Sequence, residues 1–329
     1  SPVSRNQTIH IIQEAVEEFQ VLTGGYSAEF GSANSGIVKT EMKTGGENYH
    51  VSFDFQTDKF ADEGEKFLGT HSFRHHNLVT TFGGPLGTKN IRFFGAYENQ
   101  FQGDRRMRFS EGWEFENMMD QNLNNPDIST PDGVVMDSIG TIAYPDGFTP
   151  NQERNRHTFN GTLLFDYTPV RLRVGMVYQN QETEVIGAKV PFQNVLNNRS
   201  QWDVYNATLL TAKLTHVLSP TTLYEAKFHF SSNELDREDD YFGSDWKKWL
   251  DSAAIYNHTG GDVVYRKTYN EPWYHNINGF TFYPDGTIPS ETYRINKESN
   301  FGGGLDFTTQ LGKHHEIKAG FGATMYEIS

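Results

Sequence analysis

The chain contains no cysteine. Disulfide frameworks, thiolate zinc sites, iron–sulfur clusters and cysteine nucleophiles are therefore excluded, and either redox compartment remains open. It also lacks any apolar run near the ~20 residues that a spanning helix requires, which excludes an α-helical membrane protein. Positive charge is scarce: 28 Lys and Arg face 42 Asp and Glu, for a net charge of −14. A nucleic-acid backbone is then a poor partner, because phosphate binding takes a basic surface. The N-terminus, Ser1-Pro2-Val3, has neither an initiator Met nor the basic and apolar regions of a leader. Either a leader has been removed or the chain starts inside a longer protein. Gly-x-Ser-x-Gly elbows, phosphate loops and His-Glu-x-x-His helices are missing as well, so no enzyme is expected.

What the chain does have fits a polar, acidic average poorly. Mean hydropathy is −0.63, yet aromatics make up 14% of the residues, with 25 Phe, 16 Tyr and 5 Trp. From Tyr49 onward they fall into a period-2 alternation, the mark of strands with two unlike faces. Tyr49, Val51, Phe53 and Phe55 alternate with His50, Ser52 and Asp54. Val170, Leu172, Val174, Met176 and Tyr178 oppose Arg171, Arg173 and Gln179. Tyr224, Ala226, Phe228 and Phe230 oppose Glu225, Lys227 and His229. Similar runs surround Phe93, Phe165, Leu214, Leu305 and Phe321, and a poorly alternating one covers Ser72 to Phe82. Nine strands of about 10 residues are predicted.

The connections alternate long and short. Residues 56–69, 102–155, 181–205 and 233–299 are long. Gly83 to Gly87, Thr168-Pro169, Ser219 to Thr221 and Gly312 to His314 are tight. Two of the long connections, 102–155 and 233–299, carry net charges of −6 and −5, so −11 of the −14 sits in them. A soluble sandwich has no reason to collect every long loop at one end. An outer-membrane barrel does, and its strands are apolar-out, polar-in and about 10 residues long. Tyr49, Phe101, Tyr167, Tyr178 and Tyr224, near strand ends, suit the interfacial girdles of such a barrel, although aromatics favour strands generally. The predicted fold is all-β, an antiparallel transmembrane β-barrel. Nine strands do not close a bacterial barrel, whose strand count is even.

The first 46 residues read differently: a short helix or turn into a strand over Gln13 to Leu22, a small-residue stretch, and a second strand over Gly36 to Lys43. Residues 15–55 resemble the end of the plug domain and the first barrel strand of TonB-dependent outer-membrane receptors, and among these the Oar-like subgroup. Val16 to Val21 is similar to that family's late plug strand. Ala28-Glu29-Phe30-Gly31 followed by Ser35-Gly36-Ile37-Val38 is similar to its Glu-aromatic-Gly pattern, and Lys43 to Gly46 to its link into the barrel. Phe82 to Leu86, Arg92 to Glu98, Ser219 to Thr222 and His315 to Phe321 resemble its later hairpins.

The resemblance implies a chain divided at residue 46: the C-terminal part of a plug in 1–46 and the first part of a barrel, about nine of 22 strands, in 47–329. It implies a plug-end motif of Glu17, Glu18, Gly24, Gly25, Glu29, Gly31 and Gly36. It also implies location in the outer membrane of a Gram-negative bacterium. The partners would be outer-membrane lipid, an extracellular ligand of unknown identity, and a TonB-type energy-coupling protein engaged through an upstream segment. The function implied is uptake of a scarce ligand through a plugged barrel. A rival reading is a non-transporting barrel that serves as a surface or assembly component and binds other outer-membrane or surface proteins. A soluble β-sandwich binding module is the third.

Strand parity gives candidate lumen-facing residues: Arg171, Arg173, Lys213, Glu225, Lys227, Asp306 and Lys318. Trp246, Trp249, Tyr265 and Trp273 in the last long loop could stack on a ligand or form a small core within the loop. His71, His75, His76, His50 and His314-His315 raise the question of a transition metal, but parity separates His75 from His76, and no metal is expected. No cofactor is expected either. Calcium is considered for the acidic run Asp236 to Asp240 and for Asp127, Asp132 and Asp137, none of which has the Asp-x-Asp-x-Asp-Gly spacing. Carboxylate pairs such as Glu114 and Glu116 have no fixed separation that would suit glycoside chemistry.

Overall fold

A computed structural model describes residues 9–22, 37–62, 64–105, 109–120, 137–148, 152–185, 193, 195–197, 200–239, 241–259, 275–283, 294–312 and 314–329. Over these residues the chain is all-β and antiparallel, apart from one 3-10 turn, Gln13–Ala15, and two short helices, α1 (Trp246–Trp249) and α2 (Ser252–Thr259). No helix is long and apolar enough to cross a membrane.

The N-terminal piece is the predicted turn and strand pair. The 3-10 turn runs into β1 (Val16–Leu22), which pairs antiparallel with β2 (Ile37–Met42). The rest is built on one nine-stranded sheet. Its members are β3 (His50–Thr57), β4 (His75–Leu86), β5 (Thr88–Gln102), β8 (Arg154–Tyr167), β9 (Val170–Val185), β10 (Gln201–Ser219), β11 (Thr222–Asp239), β14 (Ile295–Leu311) and β15 (His315–Ile328). Each pairs with its neighbour in sequence order, so the sheet is a pure meander, with β3 and β15 as edges. Two hairpins grow out of the long connections: β6 (Phe109–Asp120) with β7 (Asp137–Phe148), and β12 (His275–Ile277) with β13 (Phe280–Phe282).

Nine strands and the alternation of long and short connections match the sequence reading. Strand length does not. β10 has 19 residues, β11 has 18 and β14 has 17. They run into the segments 181–205 and 233–299 that read as loops. Near the tight turns one face is apolar and one polar, which gives the period-2 signal. Farther along, both faces are polar, as in Ser231 to Glu234, and the ladder continues without a hydropathy signature. The tight turn read at Gly83 to Gly87 also narrows. β4 stays paired through Pro85, the register shifts between Pro85 and Leu86, and Gly87 at φ +76° makes the reversal.

Register divides the sheet into two faces. Val51, Phe53, Phe55, Phe82, Leu163, Met176, Phe228, Phe301, Leu305, Phe321 and Met325 lie on one, and all are exposed. The other carries Thr81, Glu98, Thr158, Asn160, Thr162 and Gln179, all buried. Among the described residues fourteen polar or charged side chains are buried, against ten hydrophobic ones. A water-soluble core has the opposite balance.

Two small apolar clusters exist. Ile12 and Ala15 pack on Val79 and Ala96, with Phe94 beside them. The other joins Ile142 of β7, Ile277 of β12 and Phe282 of β13, flanked by Trp113, Met118, Ile139, Val195 and Leu196. It therefore links three of the long connections at the loop end of the sheet, as does the bond from the Tyr283 amide to the Gln193 carbonyl (2.7 Å).

Candidate functional site: the polar face of the sheet

Parity placed seven charged residues on one face, and the ladder brings all seven to the same side. One row across the strands reads Leu164, Arg173, Lys213, Lys227 and Gly304; the next reads Asp166, Arg171, Thr215, Glu225 and Asp306. Lys318, opposite Thr308, falls on that side too. They form a chain of ion pairs. Asp166 takes Arg92 (3.3 Å) and Arg171 (2.9 Å), Glu225 takes Lys213 (2.7 Å), and Asp306 takes Lys227 (2.7 Å). Lys318 pairs along its own strand with Glu316 (2.8 Å). Only Asp166 and Arg171 stand directly opposite each other; the other cross-strand pairs are diagonal, and they offset the like charges that the rows set side by side.

The N-terminal segment lies over the β4–β9 part of this face. Its backbone finds acceptors in the sheet's polar side chains. The His10 amide donates to Gln179 Oε1 (2.8 Å) and the Ile12 amide to Asn160 Oδ1 (3.3 Å). The Thr162 hydroxyl donates to the Lys43 carbonyl (2.7 Å), and the Arg173 guanidinium to the Met42 carbonyl. The segment is tied to itself by the Lys43 amide on the Ala15 carbonyl (2.7 Å). Buried peptide groups must be paired, and polar side chains at these rows supply the partners. The approach is close enough to require glycine at position 45, where a Cβ would overlap the Phe93 carbonyl oxygen.

A charged link anchors the same segment. Glu98, only 5% exposed, accepts from His10 Nε2 (3.1 Å) through one oxygen and pairs with Arg156 (3.1 Å) through the other. Sequence reasoning placed Glu98 on the polar parity but not this pairing. The partners stand 88 and 58 residues away, and no local pattern connects them.

Other expected site residues fare differently. Glu17 and Glu18 stand exposed on β1, and Glu18 accepts only from Gln20 (2.9 Å) among the described residues. Gly24, Gly25, Glu29, Gly31 and Gly36 lie outside the described residues, as do Tyr265 and Trp273. Trp246 and Trp249 bound α1, and their side chains also lie outside the description. The loop core that is described uses Trp113, Ile142, Ile277 and Phe282 instead, spread over three connections without periodicity.

The histidines are held apart. His71 bonds the Glu65 carbonyl (3.0 Å) and stacks on Phe109, His75 bonds the Asp104 carbonyl (3.0 Å), and His76 bonds Asn99 Oδ1 (3.0 Å). No group of three metal-ligating side chains occurs among the described residues. The acidic run Asp236 to Asp239 belongs to β11 rather than to a loop, so its side chains alternate between faces and do not converge on a cation. Asp127, Asp132 and Asp240 lie outside the described residues.

No family model, curated protein or solved structure matches the chain.

Proposed function

We propose that the chain is part of a TonB-dependent outer-membrane receptor, with β3 to β15 forming barrel wall and residues 9–46 forming the end of a plug. The observation that carries this reading is the inverted burial among the described residues: an apolar face left open along nine strands, and a polar face covered over β4 to β9 by the chain's own N-terminal segment. Soluble monomers rarely expose a contiguous apolar surface beyond a few hundred Å². On β8 the apolar side runs from Phe159 to Tyr167. Eight steps of about 3.3 Å, tilted at about 40°, give a belt roughly 20 Å tall, near the ~25 Å of outer-membrane barrels. Charged residues are tolerated on the opposite side because the lumen is wet or packed against the plug.

In this reading the tight turns face the periplasm, and the long, acidic, co-packed connections face outward and capture ligand. The TonB-type partner then displaces the plug, and the bonds of His10, Ile12, Met42 and Lys43 to the wall are among those that give way. In a 22-stranded barrel β3 and β15 would each gain a second neighbour. The interlocked loop core supports the rival reading, a surface or assembly component, because it builds an ordered outer platform.

Two measurements test the proposal. Folded protein is expected to require detergent and to migrate differently on gels with and without boiling; monodisperse behaviour in buffer alone would exclude a membrane barrel. Ligand uptake in cells is expected to vanish when the TonB partner is removed; unchanged uptake with loss of a surface complex would favour the rival.

A further inference from the structure

At the loop end of the polar face, above the N-terminal segment, lies a cavity of about 570 Å³ bordered from β8 round to β15. That volume is in the range of small-molecule sites. The protein carries −14 overall, yet this cavity is basic: Arg154, Arg156, Arg294 and Lys297 line it against Asp203 and Glu298. Three of these six charges are held in ion pairs. Asp203 is held in a two-pronged pair by Arg237 (2.8 and 3.0 Å), Arg156 by Glu98 (3.1 Å), and Lys297 by Glu234 (3.3 Å).

Arg154 is not among them. Among the described residues its guanidinium has no hydrogen-bond or ion-pair partner, and its Nε is fully buried without an acceptor. Arg105 and Arg156 add like charge beside it. A buried donor left unpaired is unfavourable, and a guanidinium presents a planar fork that matches a carboxylate or a phosphate. Register sets Thr183 directly across from Arg154, with Asp203, already held by Arg237, beyond it, and Gln181 and Tyr205 in the adjoining row, so neutral donors and acceptors also stand beside the cation.

We propose that this cavity binds an oxyanion group of the ligand, with Arg154 as its charge partner. The assignment of that ligand as the transported one rests on the receptor reading above; the anion site itself does not. The chemistry is shared by carboxylates and phosphates, and the test separates them.

The test is calorimetric titration of the full chain in detergent at low ionic strength with citrate and, separately, inorganic phosphate. Wild type is expected to bind at least one. Tighter citrate binding identifies carboxylate as the group recognised, and tighter phosphate binding identifies phosphate. Arg154→Gln is expected to weaken binding at least ~10-fold, as loss of a charge-assisted bond does. Arg154→Lys, which keeps charge without the fork, is expected to weaken it less. Thr183→Glu should abolish binding by placing a carboxylate opposite Arg154, and it serves as the second variant if Arg154→Gln fails to fold. Lys89→Gln, at the turn end and outside the cavity, should bind as wild type.

Absence of binding by both anions, or wild-type binding by Arg154→Gln or by Thr183→Glu, would overturn the site. If uptake remains TonB-dependent while neither anion binds, the anion site falls and the receptor reading stands. If anion binding depends on Arg154 while uptake ignores TonB, the site stands and the receptor reading falls.

Discussion

Lys227 and Phe228 are neighbours on β11 and stand on opposite faces of the sheet. Lys227 points to the polar face, 2.7 Å from Asp306, and Phe228 points to the other side and is 47% exposed. The same contrast repeats along the sheet. On one side side chains find partners in each other and in the N-terminal segment; on the other, large apolar groups stand exposed, with none of the described residues over them. Packing on the first side is specific, because each buried polar group needs a particular acceptor. The second side needs only an apolar surrounding of suitable thickness.

The largest effect is expected where the polar side is driest. Glu98→Ala would strand Arg156 and release His10, leaving a buried cation unpaired. Such losses cost about 3–5 kcal/mol. Unfolding in detergent should show the destabilisation, and limited proteolysis should show residues 9–15 leaving the sheet. A cost near that of a surface substitution would mean the N-terminal segment is not anchored through this link.

The two faces can then be set against each other at adjacent positions. Phe228→Lys puts a cation on the side assigned to lipid, which near the bilayer midplane costs roughly 2–4 kcal/mol. Lys227→Met removes half-exposed ion pairs on the other side, worth about 1 kcal/mol or less. Folding of both variants into lipid vesicles, followed by denaturant titration, measures the difference. Equal costs would remove the distinction between the faces and the barrel reading with it.

Gly45 tests how tightly the N-terminal segment and the sheet fit. Any Cβ there meets the Phe93 carbonyl and, at 2.8 Å, that of Gly84. Backbone is a poor neighbour to displace, so Gly45→Ala is expected to cost about 1–3 kcal/mol, as overpacking does. Hydrogen exchange should quicken at the Lys43 amide, whose bond to Ala15 closes this segment.

These contrasts also mark what could be read from the sequence. The two-faced part of each strand was legible because Tyr224 to Phe230 changes character every residue. The extension Ser231 to Asp239 was not, since both of its faces are polar and hydropathy has nothing to alternate. The seven charged residues of the polar face followed from parity alone. The bonds that dock His10, Ile12, Met42 and Lys43 did not, because each joins residues more than 80 positions apart through a backbone group that carries no residue-type signal. Arg154 lay inside a segment read as acidic loop, and only the register places it beside Arg156 over a cavity.

The smallest effect lies at the turn end, outside the strands that cross the proposed membrane. Glu47 precedes β3, and the Lys89 ammonium sits 3.0 Å from its carboxylate. That hydrogen bond, and then the charge behind it, holds the Glu47 carboxyl below the ordinary range. A carboxyl lowered in the folded state binds its proton less readily there than in the unfolded chain. Its contribution to stability is therefore complete above the unfolded value and fades as pH falls through the folded one. Both partners are exposed, so salt screens the pair and its weight in stability is slight. The titration is the sharper readout. Carboxyl NMR of Glu47 should give a midpoint that moves up in Lys89→Gln and up again, more weakly, in wild type at high salt. An unmoved midpoint would mean the link between the β2–β3 connection and the β4–β5 turn is absent in solution, and the contrast between a bonded polar side and an unbonded apolar side would then stop short of the turns.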